Sequence, residues 1–182
     1  MNDAGSMGFA YCLLWGGGAG VRGPWEHEDW CVSKESKHYH ALGAAFTSDV
    51  LEFRFDMLTG CSAAAEDWES LSWAVYVAAC RLLQIPEAEL GVTFYQNDGG
   101  AFSIMLYDNV PGGAGHVLQL AQRPEDVMSG AYDVVAHCTC GEDTCCYGCL
   151  CNYFNQGRQD KLSRGGALKI LRAFVLEDAT EN

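Results

Sequence analysis

The sequence predicts a mixed α/β domain of the α+β kind. Its parts are a small β-sheet of about three or more strands packed with helices, a C-terminal four-cysteine knuckle, and a terminal helix. Three observations carry this expectation. A period-2 run at Val50–Phe55 and two apolar runs joined by Asn97-Asp98-Gly99-Gly100 read as strands. A long apolar stretch from Ala64 to Ile85 repeats at three and four, as a helix does. Finally, six of the ten cysteines crowd into the fourteen residues from Cys138 to Cys151.

The strands rest on alternation and on turn chemistry. Glu52 and Arg54 alternate with Leu51, Phe53 and Phe55, the mark of a half-buried strand. Leu90–Gln96 and Ala101–Tyr107 flank an Asp-Gly turn, which tolerates positive φ. The helix from Ala64 has Glu66 and Asp67 in its first turn, where the macrodipole favours them, and Pro86 ends it. Leu71, Ala74, Val75, Ala78, Leu82 and Ile85 form its main stripe, while Trp73, Val77 and Cys80 extend apolar character round the rest. Burial on several sides is expected, with Cys80 as a core residue.

The second hairpin strand runs into Asp108-Asn109-Val110-Pro111-Gly112-Gly113-Ala114-Gly115 and a short helix over His116–Gln122. A glycine-rich turn between strand and helix is a natural anion site. It is no P-loop, since no Gly-Lys-Ser/Thr follows. Asp108 and His116 form a candidate acid/base pair; the plainer reading is that the glycines allow close packing and Asp108 caps the turn. A helix over Pro124–His137 then delivers the cysteines, with Pro124 in its first turn. The last helix is expected over Asp160–Leu176, with Leu168, Leu171, Phe174 and Val175 on its apolar face.

A tetrahedral zinc site best explains the cysteine crowding, with one ligand pair from Cys138 and Cys140 and a second from the C-x-x-C of Cys146 and Cys149. Spacing alone leaves the choice of four open. Cys145 and Cys146 are adjacent, so one of them is a spectator, and Cys151 is a substitute ligand or a buried free thiol. An iron–sulfur cluster, a disulfide cluster, or cysteines acting as small buried apolar residues are the alternative uses of such a stretch.

Near the N-terminus, Cys12, Trp15-Gly16, His27 and Cys31 form an incomplete, metal-like pattern within a glycine-rich stretch. Three ligands plus water would make an open zinc site; the plainer reading is a structural loop. Residues 1–41 are expected to be an irregular segment carrying this degenerate knuckle, and 42–182 the main domain.

At 182 residues and 49 % hydrophobic the chain is long enough for a sizeable core. No eighteen-residue apolar run and no basic leader region stand in it. Ten cysteines in such a chain favour metal over disulfides, and a cytoplasmic location without membrane partners is expected. The net charge of −13 argues against a free-standing nucleic-acid binder. Yet Arg158, Lys161, Arg164, Lys169 and Arg172 sit within fifteen residues. At about 100° per residue, Lys161, Lys169 and Arg172 share the polar side of the last helix. That side suits phosphate contact, or is an ordinary solvated face.

The pieces from Leu106 to Leu168 resemble one family, the MrfA-like zinc-binding domain. It occurs at the C-terminal end of DEAD/DEAH-type helicases and in the DISARM anti-phage component DrmB. The matching residues are Leu106-Tyr107-Asp108, Pro111-Gly112-Gly113-Ala114-Gly115, Cys138, Cys140, Cys146-Tyr147, Cys149-Leu150, Tyr153, Asn155-Gln156, Leu162 and Arg164. Upstream, Leu42-Gly43 and Thr47 to Phe55 are similar to the family's leading strand, so the likeness covers about 42–175. It implies that Cys138, Cys140, Cys146 and Cys149 are the zinc ligands, with Cys145 and Cys151 as extras. Gln159 stands where the family often has His, Ser163 where it often has Asp, and Trp15 where a cysteine is expected.

No Gly-Lys-Ser/Thr and no Asp-Glu-x-His are present, so ATP hydrolysis by the helicase route is excluded for this chain. The resemblance therefore implies an accessory domain or subunit. Its partner would be a superfamily-2 helicase or translocase supplied in trans, acting in genome defence or DNA repair. Lys161, Arg164, Lys169 and Arg172 are the candidate contacts to DNA or partner. The rival expectations are a small enzyme built on Asp108, the glycine turn and His116, and a scaffold protein that uses zinc only to fold.

Overall fold

The structure, a computed structural model, describes residues 9–11, 18–20, 38–40, 45–55, 62–98 and 100–178. The chain divides into two compact units, Met1–Phe46 and Thr47–Asn182. In the first, β1 (Phe9–Tyr11) pairs antiparallel with β2 (Gly18–Gly20) on one side and with β3 (His38–His40) on the other. The sequence reads this stretch as irregular, because Gly18-Ala19-Gly20 carries turn composition and strands of three residues show no period. Cys12, Trp15, His27 and Cys31 lie outside the described residues.

The second unit holds a three-stranded antiparallel sheet in the order β4 (Val50–Phe55), β6 (Phe102–Asp108), β5 (Leu90–Gln96). Leu51 pairs with Leu106, Phe53 with Ile104 and Phe55 with Phe102, so one face of the sheet is apolar from edge to centre. Val92 and Phe94 extend that face from β5. The period-2 reading of Val50–Phe55 is thus a property of the sheet. The hairpin between β5 and β6 closes with Gly100 at φ +84° and the Asn97 amide donating to Ala101.

Helix α1 (Ala65–Leu83) packs beside the sheet. The backbone N–H of Ala64 donates to Asp67 Oδ2 at 3.0 Å, which satisfies an amide at its start. At the far end Gln84 turns left-handed at φ 54°, the Ile85 amide returns to the Cys80 carbonyl, and Pro86 bars continuation. Leu71, Ala74, Val75 and Ala78 are buried, and so are Trp68, Tyr76, Val77 and Ala79, so α1 is surrounded rather than amphipathic. Trp68 stacks on Phe102 with centroids 4.6 Å apart, joining helix to sheet. Cys80 is a core residue, and burial pushes its thiol up to about 12.

The chain continues through α2 (His116–Leu120), α3 (Pro124–Ala136), a 3-10 segment (Tyr153–Lys161) and α4 (Arg164–Asp178). Here the sequence expectation of one helix over Asp160–Leu176 is corrected. Leu162 is extended at φ −88°, ψ 135°, and breaks the path. Ser163 then accepts the Gly166 amide on its hydroxyl at 3.0 Å, acting as the start of α4. Lys161 therefore ends the 3-10 segment and does not continue the face of Lys169 and Arg172. Buried Ala167, Leu168, Ile170 and Leu171 turn α4 toward the core. Among the described residues no helix is long and apolar enough to cross a membrane.

Candidate metal centre

Four thiols converge where α3 ends. The His137 amide closes the helix on the Asp133 carbonyl, and the chain then bends through Cys138 and Cys140. The second pair sits on a tight turn in which the amides of Cys149 and Cys151 both reach the Cys146 carbonyl at 3.0 Å. Two backbone amides point at sulfur within this turn, Cys146 N–H to Cys149 Sγ and Gly148 N–H to Cys146 Sγ, each at 3.3 Å. Amide donors of this kind favour thiolate over thiol.

Sulfur–sulfur distances test the fit to a metal. Cys138 Sγ lies 3.4 Å from Cys140 Sγ and 3.5 Å from Cys146 Sγ. Cys149 Sγ lies 3.7 Å from Cys140 Sγ and 3.8 Å from Cys146 Sγ. All four fall within 4.8 Å of one another. A tetrahedral ion with metal–sulfur bonds near 2.3 Å would set its ligands about 3.8 Å apart. The donor set fits zinc, and with four sulfurs it leaves no open position for substrate or water. Cys149 is buried, and burial pushes its thiol up to about 12. At Cys138 a backbone hydrogen bond at Cys140 outweighs burial and brings the thiol down to about 7.

Cys145 and Cys151 stand apart from the tetrad. They form a disulfide, with Cα atoms 6.0 Å apart. This replaces the reading of Cys151 as a substitute ligand or free thiol.

The basic residues downstream divide by environment. Arg164 is 9 % exposed and holds the metal loop from behind. Its Nε donates to the Cys140 carbonyl at 3.2 Å and its Nη1 to the Val135 carbonyl at 2.9 Å. Its own amide donates to Thr144 and that of Gly165 to Glu142, so loop carbonyls also receive the first amides of α4. Most of the guanidinium is thus engaged inside the fold, and its Nη2 lies 3.9 Å from the exposed Glu142. Arg158 forms a two-pronged ion pair with the buried Glu69 of α1. Lys161 and Arg172 are exposed. Lys169, also exposed, donates to the Ser62 carbonyl and lies 3.4 Å from Asp67.

The glycine turn is a cap. The carboxylate of Asp108, fully buried, accepts four backbone amides: Ala114 and Gly115 at 2.6 Å, His116 and Val117 at 3.1 Å. Gly113 has φ +77°, and a Cβ there would fall 2.4 Å from Asp49 Oδ2. Gly112 and Gly115 also have positive φ. With its oxygens so occupied, Asp108 is no partner for His116, whose Nε2 lies 3.8 Å from Glu89. Of the two readings of this turn, these hydrogen bonds support the plainer one, in which Asp108 is a cap.

Asn155 is buried and structural: Nδ2 donates to Leu150, and Oδ1 accepts from Asn152 N–H and Gln159 Nε2. Gln156 is exposed. Asn152, which no sequence reading singled out, caps the 3-10 segment by accepting from Phe154 and Asn155 amides. Its signal was available as an Asn three residues before another Asn at a helix start. Glu69 was also missed, and nothing in its position within α1 distinguishes it from a solvated helix carboxylate.

Residues 71–150 match the family model of the MrfA Zn-binding domain. Druantia protein DruE of Escherichia coli (strain UMEA 4076-1) is 31 % identical over 110 residues, which are 57 % of this chain and 6 % of DruE. Crystal structures of the DUF1998 helicase MrfA are also similar. The one bound to DNA and AMPPNP has a TM-score of 0.51 and 18 % identity over 75 % of this chain and 17 % of that one. The one bound to DNA has a TM-score of 0.46 and 23 % identity over 64 % of this chain and 16 % of that one. The chain thus spans a small fraction of the proteins it matches, and the resemblance read from its motifs holds.

Proposed function

We propose that this chain, which matches the MrfA Zn-binding domain over residues 71–150, is a zinc-stabilised, helicase-associated module. In this reading Cys138, Cys140, Cys146 and Cys149 are the ligands. Zinc supplies the cross-link that joins the end of α3 to the turn before the 3-10 segment, and its chemistry there is structural. The single observation that carries the reading is the closed tetrad of sulfurs inside a segment that matches a helicase-associated domain.

The module would serve a superfamily-2 ATPase, either supplied in trans or joined to it in a longer protein. The likeness to DruE, a Druantia protein, favours genome defence over DNA repair as the setting. Lys161, Lys169 and Arg172 are exposed and are the candidate cations to meet phosphate or an acidic partner surface. The metal loop that Arg164 ties down would hold α4 in place for that contact.

Gentle affinity purification from the native host, followed by mass spectrometry, tests this directly. The expected result is a superfamily-2 ATPase at near-equal stoichiometry, or the same chain recovered as part of one. A clean zinc-bound monomer under mild conditions would overturn the helicase-associated reading and leave a zinc-folded scaffold.

A further inference from the structure

We propose that the Cys145–Cys151 pair is a redox modification site. It would be a dithiol/disulfide couple that exchanges with small disulfides such as glutathione disulfide and sets how fast the neighbouring tetrad gives up its metal. The inference rests on the zinc reading above, and its test keeps the two separable.

The six clustered cysteines are sorted by geometry into two groups. Four sulfurs face one another across 4.8 Å or less, while Cys145 and Cys151 face each other as a disulfide, with the Cys145 sulfur also 3.7 Å from the Gln159 carbonyl. In the metal-bound protein the tetrad sulfurs are engaged by the ion. A disulfide reagent therefore meets the remaining pair first. The pair is also asymmetric: Cys151 is buried at 7 % exposure, whereas Cys145 is more open. Cys145 is accordingly the point of attack and Cys151 the resolving sulfur.

The exchange balances without any further reagent. The reduced Cys145 sulfur attacks glutathione disulfide; the reagent's S–S bond breaks and one glutathione leaves with the electron pair and takes a proton. The Cys151 sulfur then attacks Cys145 in the mixed disulfide, forming the protein bond and releasing the second glutathione, again as the thiol. Two protein thiols are oxidised and one glutathione disulfide is reduced.

The consequence for the metal follows from what the bond encloses. The loop it closes contains Cys146 and Cys149, and the Cys151 amide is already bonded to the Cys146 carbonyl at 3.0 Å. Metal release requires this turn to open so that its two sulfurs can peel away. A closed ring of seven residues resists that opening, while a reduced one does not.

The test incubates the full chain in glutathione buffers of graded ratio, quenches with acid, alkylates and maps peptides. Zinc transfer to a chelating dye is followed in parallel. Cys145 and Cys151 should pass together from alkylated to bridged, with one zinc per chain in both states. Zinc transfer should be roughly tenfold slower from the oxidised form, a part of the loop-closure effect of so short a ring. Cys151→Ser should accumulate one glutathione adduct on Cys145, whereas Cys145→Ser should accumulate none on Cys151 and should release zinc at one rate in every buffer. The proposal is overturned if both sulfurs stay alkylatable at the most oxidising ratio, if zinc leaves equally fast in both states, or if Cys145→Ser loses stoichiometric zinc. Absence of zinc from the unmutated chain would instead overturn the metal reading itself.

Discussion

Arg164 donates from Nε to the carbonyl of Cys140 at 3.2 Å, so the first residue of α4 grips the bend that carries half of the sulfur tetrad. The same guanidinium reaches the Val135 carbonyl on α3. One side chain thereby joins the helix before the metal loop to the helix after it. Arg164→Ala should cost about 3 kcal/mol, because two charge-assisted hydrogen bonds and the solvation of two carbonyls are removed together. Arg164→Lys keeps the charge but not the fork, so it should recover only part. Chemical denaturation of the zinc-loaded protein measures both. A variant as stable as the parent would mean that the metal and the first amides of α4 hold the loop without the guanidinium.

How much of this was legible beforehand depends on whether a residue's partner is local. The strand alternation at Leu51, Phe53 and Phe55 and the helix repeat of α1 are local, and both are present. The tetrad is legible because C-x-C and C-x-x-C spacings bring sulfurs together within a turn or two. The role of Asp108 was legible as an alternative, since its glycine-rich neighbours supply amides within nine residues. By contrast, the Arg164 and Arg158 partners are remote in sequence, Val135 and Glu69 respectively, and charge alone does not announce them. The break at Leu162 was hidden for a related reason: Ser163 donates its amide to Ser70 of α1, an interaction that no helical period encodes.

Asp108 makes a second stability prediction. Its carboxylate accepts four amides at the start of α2, so Asp108→Ala should destabilise by about 3 kcal/mol, at the upper end for a buried polar network. Asp108→Asn keeps the shape with one acceptor oxygen and should fall between. Gly113→Ala should itself cost about 1–2 kcal/mol for its left-handed backbone, before the clash with Asp49 is added. His116→Ala should have little effect on stability. If His116→Ala instead matched Asp108→Ala in a functional assay while leaving stability intact, the capping account would be incomplete.

Zinc binding should depend on pH in a direction fixed by the thiols. Metal capture replaces protons on four sulfurs, so affinity rises with pH. The metal-free Cys138 thiol titrates at about 7 and Cys149 at about 12. Above pH 7 Cys138 is already deprotonated, and the metal displaces about one proton fewer than it does below pH 7. Log affinity plotted against pH should therefore steepen as pH falls through that value. Acid should strip the metal, and the loss of stability should track zinc release. Cys146→Ser or Cys149→Ser should remove a ligand, lower zinc content below one per chain and melt the C-terminal third. Full metal content in either variant would sink the ligand assignment.

The cationic surface gives the last prediction. Lys169 and Arg172 lie three residues apart on α4, and both are exposed, whereas Lys161 ends a different segment. Arg164 is buried against the metal loop, and Arg158, though exposed, is engaged by Glu69 through a two-pronged ion pair. Lys169→Glu with Arg172→Glu, made in the assembled ATPase complex, should weaken DNA binding. The slope of log affinity against log salt should fall by about two, one for each phosphate that no longer has a cation beside it. Lys161→Glu should act independently and additively, because it does not share their helical face. Melting of each variant separates binding from folding, which matters for Lys169 because it also bonds the Ser62 carbonyl. An unchanged salt slope with intact folding would move the DNA-facing surface off α4 altogether.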